Sequence, residues 1–247
     1  MKKGELLLLI NEKNSYLVEK SDRKIQTAEG FVNLKQVKNF NSIVKTHTGK
    51  KFFVAEPNLN DILKKRVKRM PQIIMTKDAA LILAYTGVMP GSFVVDAGSG
   101  TGYLSIFLAN YLKPGKIVTY EKDRKFAKVA KENFKNAGLG KFIKLKQKDI
   151  LKGINEKNVD LVTLDMKHSE KVVKHAYAAL KYGGWLVVYS PYVQQVDAVV
   201  KEMKRKGFSE VKTVENIVRF WDVGDHTLPQ RSGIMHTGFI TFARKVK

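Results

Sequence analysis

Residues 93 to 102 read FVVDAGSGTG, and the fold follows from how that stretch is interpreted. Three apolar residues, Phe93, Val94 and Val95, run into Asp96, and glycines follow at alternate positions, Gly98, Gly100 and Gly102. The next ten residues, Tyr103 to Leu112 (YLSIFLANYL), are apolar enough for a buried helix. A buried strand, a glycine turn and a helix in that order open a doubly wound α/β domain. The glycines let the backbone take positive φ and let a ligand approach without meeting a Cβ. The helix start offers free N–H groups to the same crevice.

A dinucleotide-binding turn requires G-x-G-x-x-G. Here Tyr103 stands where the third glycine belongs, and the spacing is D-x-G-x-G-x-G, with Ser99 and Thr101 between the glycines. That spacing resembles motif I of S-adenosylmethionine-dependent methyltransferases; a plain tight turn is the other reading. The rest of the crevice separates the two. Lys116 to Glu121 (KIVTYE), Phe142 to Asp149 (FIKLKQKD) and Val159 to Asp165 (VDLVTLD) each read as a strand running into an acid. With Asp96, four acids then stand at the carboxyl ends of strands, where open α/β sheets bind ligands. Glu121 is placed to accept both hydroxyls of a ribose, and Asp149 to accept the exocyclic amine of an adenine.

The chain of 247 residues is 44% hydrophobic, enough for a substantial core, and contains no cysteine. Disulfides and thiolate metal sites are therefore excluded, and no His, Asp or Glu spacing suggests a metal. The apolar run LLLLI near the start is too short to span a membrane, so a soluble, cytoplasmic protein is expected. A formal charge of +22 points to a polyanionic partner, nucleic acid first among them, or else to a lysine-rich proteome.

Residues 1 to 65 read as a small β domain, with strands over Glu5–Ile10, Ser15–Glu19, Arg23–Thr27, Gly30–Leu34 and Lys51–Ala55. Residues 66 to 247 form the larger domain. At the junction KKRVKR (64–69) is either a phosphate-contacting segment, through Lys64, Lys65 and Arg66, or a solvated helix face. Asp78 leads or caps a helix over Ala79–Tyr85. After the fourth strand, Ser169 caps a helix to Leu180, KYGG turns the chain, and Trp185–Tyr189 is the fifth strand. A helix over Gln194–Lys206 and strands over Val211–Trp221 and His236–Ala243 complete the sheet, with a loop at 222–235 between those strands.

PQIIMTKDAA (71–80), VVDAGSGTG (94–102), YE (120–121), LDMK (164–167), VVYSPYVQQV (187–196) and HTGFITFAR (236–244) together resemble the tRNA (adenine-N1)-methyltransferase family in its archaeal and bacterial homotetrameric form. The resemblance spans nearly the whole chain. It implies a Rossmann-like class I methyltransferase domain, with a mostly parallel seven-stranded sheet, preceded by the small N-terminal β domain. It implies methyl transfer from S-adenosyl-L-methionine to N1 of an adenine in the tRNA T loop, at position 58 and in archaeal members also 57. It implies that Asp165 is the active-site acid and that Tyr189 lies near the target base. It also implies that Gln72 to Met75 border the cofactor, whose other expected partners are Asp96, Gly98, Ser99, Gly100, Thr101, Gly102, Glu121, Asp149 and Asp165. Arg231 and His236 are expected to contact the substrate. The family often has a proline soon after the acid and an aromatic with a proline before KDAA; here Met166–Ser169 has no proline, and Met75 and Thr76 precede KDAA. A protein carboxyl methyltransferase of the isoaspartyl type, or a non-catalytic tRNA-binding subunit, are the competing readings. The first leaves the charge and the HTGFITFAR ending unexplained.

Overall fold

The structure, a computed structural model, describes residues 1–70, 73–231 and 235–247. The chain divides into two compact units, Met1–Val67 and Lys68–Lys247.

In the first unit, strands β1 (Leu6–Ile10), β2 (Ser15–Glu19), β5 (Ser42–Lys45) and β6 (Lys51–Ala55) form an antiparallel sheet in the order β2-β1-β6-β5. A hairpin of β3 (Lys24–Thr27) and β4 (Gly30–Asn33) joins it through a bridge between Val32 and Thr46. Alternate residues face inward, and Leu7, Leu9, Val32, Val44, Phe52 and Val54 make the core. Two elements lie outside the sequence reading. One is β5, four residues long like β3 and β4. The other is helix α1 (Leu59–Lys65), which Asn58 and Asp61 close with a reciprocal capping box.

The second unit contains α2 (Thr76–Thr86), β7 (Phe93–Ala97), α3 (Tyr103–Leu112), β8 (Lys116–Tyr120), α4 (Arg124–Asn136), β9 (Ile143–Lys146) and β10 (Val159–Leu164). These are followed by α5 (Val173–Ala179), β11 (Leu180–Ser190), α6 (Val193–Lys206), β12 (Phe208–Glu215), the short pair β13 (Trp221–Asp222) and β14 (Leu228–Pro229), and β15 (Phe239–Lys245). Seven strands pair in the order β12-β15-β11-β10-β7-β8-β9. The four pairings among the five strands from β11 to β9 are parallel, whereas β15 runs antiparallel to both its neighbours. This is the expected class I methyltransferase architecture. β7, β8 and β10 are buried on both faces, which is why their sequences are near-continuous apolar runs. The chain leaves β7 toward β8 and β9 on one side and returns to β10 and β11 on the other. The strand order therefore reverses at β7, and a crevice opens there.

Several local expectations need correction. The third strand ends at Lys146, and Asp149 instead caps a short 3-10 turn over Ile150–Lys152 by accepting from the Leu151 N–H at 3.0 Å. Ser169 does not cap a helix: it opens a 3-10 turn that passes into α5, and its hydroxyl donates to the Met166 carbonyl at 2.8 Å. KYGG lies within β11, whose pairing with β10 skips between Leu180 and Trp185. β12 starts three residues earlier than expected and stops at Glu215, and the loop after it folds into the β13–β14 hairpin. The last strand starts at Phe239 rather than His236.

Candidate active site

The crevice has a volume of about 680 Å³ and opens at the carboxyl ends of β7, β8 and β10. Asp96, Gly98, Ser99, Gly100, Thr101, Glu121, Asp149, Asp165 and Tyr189 all line it. Sequence distance hides this convergence: these residues span ninety-four positions and meet only because parallel strands end side by side.

The three glycines of the turn serve three different purposes. A Cβ on Gly98 would lie 2.6 Å from the Asp165 carbonyl oxygen, so the absent side chain lets β7 and β10 end in contact. At Gly102, where φ is +79°, a Cβ would meet the Phe134 ring at 2.3 Å; this glycine lets α4 pack on the turn and does not line the crevice. Only at Gly100, with φ +53°, would a Cβ meet nothing closer than 4.0 Å, because it would project into open space. Gly100 is the position at which a ligand can approach the backbone. Gly100→Val is expected to fill that space and abolish S-adenosyl-L-methionine binding in calorimetry, with folding kept; near wild-type affinity would remove the turn from the binding surface.

The acids differ as sharply. Asp96 is held by three hydroxyls: Ser105 at 2.6 Å and Thr119 at 2.8 Å donate to Oδ2, and Thr163 at 2.7 Å to Oδ1. It is 2% exposed and ties β7, β8, β10 and α3 together. Glu121 accepts from the Gly100 N–H with Oε2 and from the Asp123 N–H with Oε1, both at 2.9 Å. Each of its oxygens keeps a further acceptor position, on a carboxylate that the turn itself has fixed in place. Asp165 is unlike either. Its backbone N–H pairs with the Ala97 carbonyl at 2.6 Å, but its carboxyl has no hydrogen-bond partner among the described residues. Burial, with the Asp96 charge adding to it, raises the Asp165 pKa from 3.8 to about 7.

Ser99 Oγ and Thr101 Oγ1 are buried and also lack a partner among the described residues. Two orphaned hydroxyls, an unpartnered carboxyl and an open backbone turn leave hydrogen-bonding capacity that the protein itself does not use. The residues present thus fit a polar ligand that brings both donors and acceptors, as S-adenosyl-L-methionine does.

Tyr189 reaches the crevice from the end of β11. Its hydroxyl donates to the Thr237 carbonyl, and burial pushes its pKa up to about 12. The phenol therefore stays protonated and serves as a wall rather than a base. Behind it lies a polar knot. Thr237 Oγ1 donates to Asp78 Oδ2 at 2.8 Å, and Lys77 Nζ reaches Asp78 Oδ1 at 2.9 Å, Thr237 Oγ1 at 2.8 Å and the Asn216 carbonyl. Asp78 is accordingly no cap: α2 begins at Thr76, its N-cap is Met75, and Asp78 is fully buried. Of the PQII segment, Ile73 and Ile74 line the crevice, while Gln72 lies outside the described residues. Tyr103, Phe126, Ile150 and Gln195 also line it. They carry no sequence signal beyond their nearness to the motifs.

The remaining candidates do not join this group. Arg231 is exposed and does not line the crevice. His236 hydrogen-bonds Glu215 through Nδ1, which holds its pKa above the usual value, and it packs on Phe239. Lys64, Lys65 and Arg66 belong to the first unit. There Lys65 donates to the Ser15 carbonyl at 2.7 Å, and Arg66 pairs with Glu19. Beyond them Lys68 pairs with Glu132 at 2.9 Å.

Residues 55–236 match the family described as the tRNA methyltransferase complex GCD14 subunit. The tRNA (adenine(57)-N(1)/adenine(58)-N(1))-methyltransferase TrmI of Methanocaldococcus jannaschii is 35% identical over 96% of this chain and 94% of its own length. A solved structure named as a SAM-dependent O-methyltransferase from Thermotoga maritima superposes with a TM-score of 0.88 at 31% identity, covering 100% of this chain and 95% of that one. The tRNA (m1A58) methyltransferase TrmI of Aquifex aeolicus shares the fold with a TM-score of 0.81 at 22% identity, over 100% and 99% of the two chains.

Proposed function

The chain belongs to the GCD14 tRNA methyltransferase family, and on that premise we propose that it transfers a methyl group from S-adenosyl-L-methionine to N1 of adenine in the tRNA T loop, at positions 58 and 57. The observation that carries this reading is the Asp165 carboxyl, alone among the crevice acids in having no hydrogen-bond partner among the described residues, beside the Tyr189 wall.

When bound, S-adenosyl-L-methionine supplies an electrophilic methyl carbon on a sulfonium. Glu121 would hold its ribose hydroxyls and Asp149 its adenine amine, and the hydroxyls of Ser99 and Thr101 would take up its remaining polar groups. Gly98 and Gly102 support that site by letting β10 and α4 pack against the turn. Asp96 supports it by fixing the strand ends. Adenine N1 carries a free lone pair, so no base is needed before attack. Methylation makes the ring cationic. Asp165, ionised, accepts from the N6 amine, drawing electron density toward N1 and stabilising the charge that develops. N1 lies on the Watson–Crick edge, so the adenine must leave its stack, and the Tyr189 ring offers a face for it. Removing the adenine from water and fixing its approach supplies much of the remaining acceleration.

The charge of +22 suits tRNA as substrate. Lys64 and Arg231 are phosphate contacts in this reading; Lys65, Arg66 and His236 would exchange an existing bond for one. Among the described residues no helix is long and apolar enough to cross a membrane; a tRNA substrate is what places the proposed reaction in the cytoplasm. A homotetramer is the assembly this reading proposes, and exposed apolar residues on and around the β13–β14 hairpin, Ile217, Val218, Phe220, Trp221, Val223 and Leu228, offer it surface to bury. Such surface is costly to leave in water.

The test is transfer of tritium from labelled S-adenosyl-L-methionine to bulk tRNA, followed by digestion to nucleosides. Label in 1-methyladenosine is expected. Label in a 2′-O-methyl nucleoside, or in aged protein instead of tRNA, would overturn the assignment.

A further inference from the structure

The first unit presents a sheet face that its own fold does not explain. On β5 and β6, Val44 and Phe52 point into the core, so Ile43, Lys45, Lys51 and Phe53 point outward. Ile43 stands directly opposite Phe53, and Lys45 directly opposite Lys51. Ile43 is 61% exposed and Phe53 45%. Where the chain continues past β5, the bridge from Val32 to Thr46 places Phe31 beside His47. Their ring centres are 5.2 Å apart, and Phe31, 49% exposed, donates its backbone N–H to His47 Nδ1 at 2.9 Å. An apolar pair and a lysine pair thus follow one another at the two-residue period of the β5–β6 ladder, and the Phe31–His47 pair lies past its end, with His47 in the turn after β5.

Two features are unfavourable in the isolated protein. Like charges directly opposite in an antiparallel pair destabilise it, and neither Lys45 nor Lys51 has an acidic partner among the described residues. The flanking apolar side chains remain in water. One kind of partner relieves both costs. Phosphates neutralise the paired lysines, and base faces cover Phe53 and Phe31. Only bases released from a duplex have free faces to offer. A protein partner would cover the apolar groups but would need an acidic patch aligned with the lysine pair; an RNA already carries both parts at a short repeat.

We infer that this outward face, Phe31 and His47, Lys45 and Lys51, Ile43 and Phe53, is a second RNA-contact surface that takes unpaired nucleotides of the tRNA. The inference rests on the tRNA methyltransferase reading and adds a binding surface in the unit that does not contain the crevice acids.

The test uses the full-length protein with Lys45→Gln/Lys51→Gln, and separately with Phe53→Ala. Both positions are exposed, so the fold is expected to survive, which circular dichroism checks. The lysine pair variant should bind tRNA roughly tenfold more weakly. Its slope of log affinity against log salt should be shallower by about 1.4, the value for two single-strand phosphates. Phe53→Ala should weaken binding with the slope unchanged. In both variants KM for tRNA rises, while kcat at saturating tRNA and affinity for S-adenosyl-L-methionine stay at wild-type values. Footprints should lose protection in an unpaired segment. Unchanged affinity and slope, in a preparation whose wild type methylates tRNA, would overturn the inference. So would a loss of protection confined to helical segments, or a changed sedimentation coefficient with tRNA binding intact, which would make the face a protein interface. Failure of the wild type itself to methylate tRNA would instead strike the functional reading, and is told apart by that control.

Discussion

Asp165→Asn is expected to lower methyl transfer to tRNA by about a hundredfold or more and, in the donor-free protein, to raise the melting temperature at alkaline pH. Both effects have one origin. The carboxyl is buried in the crevice beside the Asp96 charge, and burial first and that charge second raise its pKa from 3.8 to about 7. In the unfolded chain the group ionises near its ordinary value. Between pH 4 and pH 7 the folded protein therefore holds a proton that the unfolded chain has released. Stability from this group is fully present below pH 4 and is lost as pH rises through 7. Above pH 7 the full penalty applies, on the order of 4 kcal/mol at most for a shift of this size. Asn carries no charge and escapes it. The melting temperatures of the two proteins should coincide near pH 4 and separate in favour of Asp165→Asn toward pH 8, by roughly 2–4 °C for each kcal/mol. Turnover moves the other way. Asn still presents an oxygen to the N6 amine but no negative charge to the ring. The wild-type pH profile of kcat/KM should rise around pH 7 as the carboxyl ionises, and that limb should vanish in the variant. A purely structural aspartate would give the opposite pattern: a lower melting temperature with turnover per folded molecule retained. Near-normal turnover by a stable Asp165→Asn protein would leave the reaction to Tyr189 and to placement alone.

The second large effect is on the fold around the crevice. Asp78→Ala is expected to cost about 3–5 kcal/mol, because it leaves a largely buried ammonium without its counter-charge. Asp78 is 0% exposed and accepts from Lys77 and Thr237. Lys77 also binds the carbonyl of Asn216, whose own amide returns to the Lys77 carbonyl at 3.0 Å. One carboxylate thereby joins the first turn of α2 to the end of β12 and to the approach to β15, where the Thr237 carbonyl holds Tyr189. A total stability of 5–15 kcal/mol leaves little margin for such a loss. Urea unfolding should show the midpoint falling sharply. The Lys77→Met/Asp78→Leu pair should be far less damaging than the sum of its parts, since it leaves no charge unpaired. A cost below about 1 kcal/mol for Asp78→Ala would mean that the knot is not what fixes these segments.

The family resemblance at PQIIMTKDAA and HTGFITFAR marked both ends of this knot, but as two separate motifs. Nothing in either indicated that Asp78 and Thr237 meet. KKRVKR was legible as a run of charge, yet its partition among Ser15, Glu19 and Glu132 was not, because each partner lies far along the chain. The bond between His236 and Glu215 was likewise not legible in the sequence.

The sequence by itself determined the α/β class, the order of the parallel strands along the chain, the glycine turn and the acids Asp96, Glu121 and Asp165 at or just past strand ends; Asp149 it placed on a strand that stops earlier. Those features depend on side-chain period and turn chemistry over a few neighbouring residues, as in FVVDAGSGTG running into YLSIFLANYL. Only the tertiary structure decided what each residue does once it arrives. Three glycines with the same letter serve strand contact, helix packing and ligand approach. Two aspartates at the ends of adjacent parallel strands diverge because three hydroxyls from α3, β8 and β10 reach Asp96 and none among the described residues reaches Asp165. Burial, pairing and pKa are set by atoms contributed from distant positions, as Thr163 is to Asp96, and proximity of that kind exists only after the chain has folded.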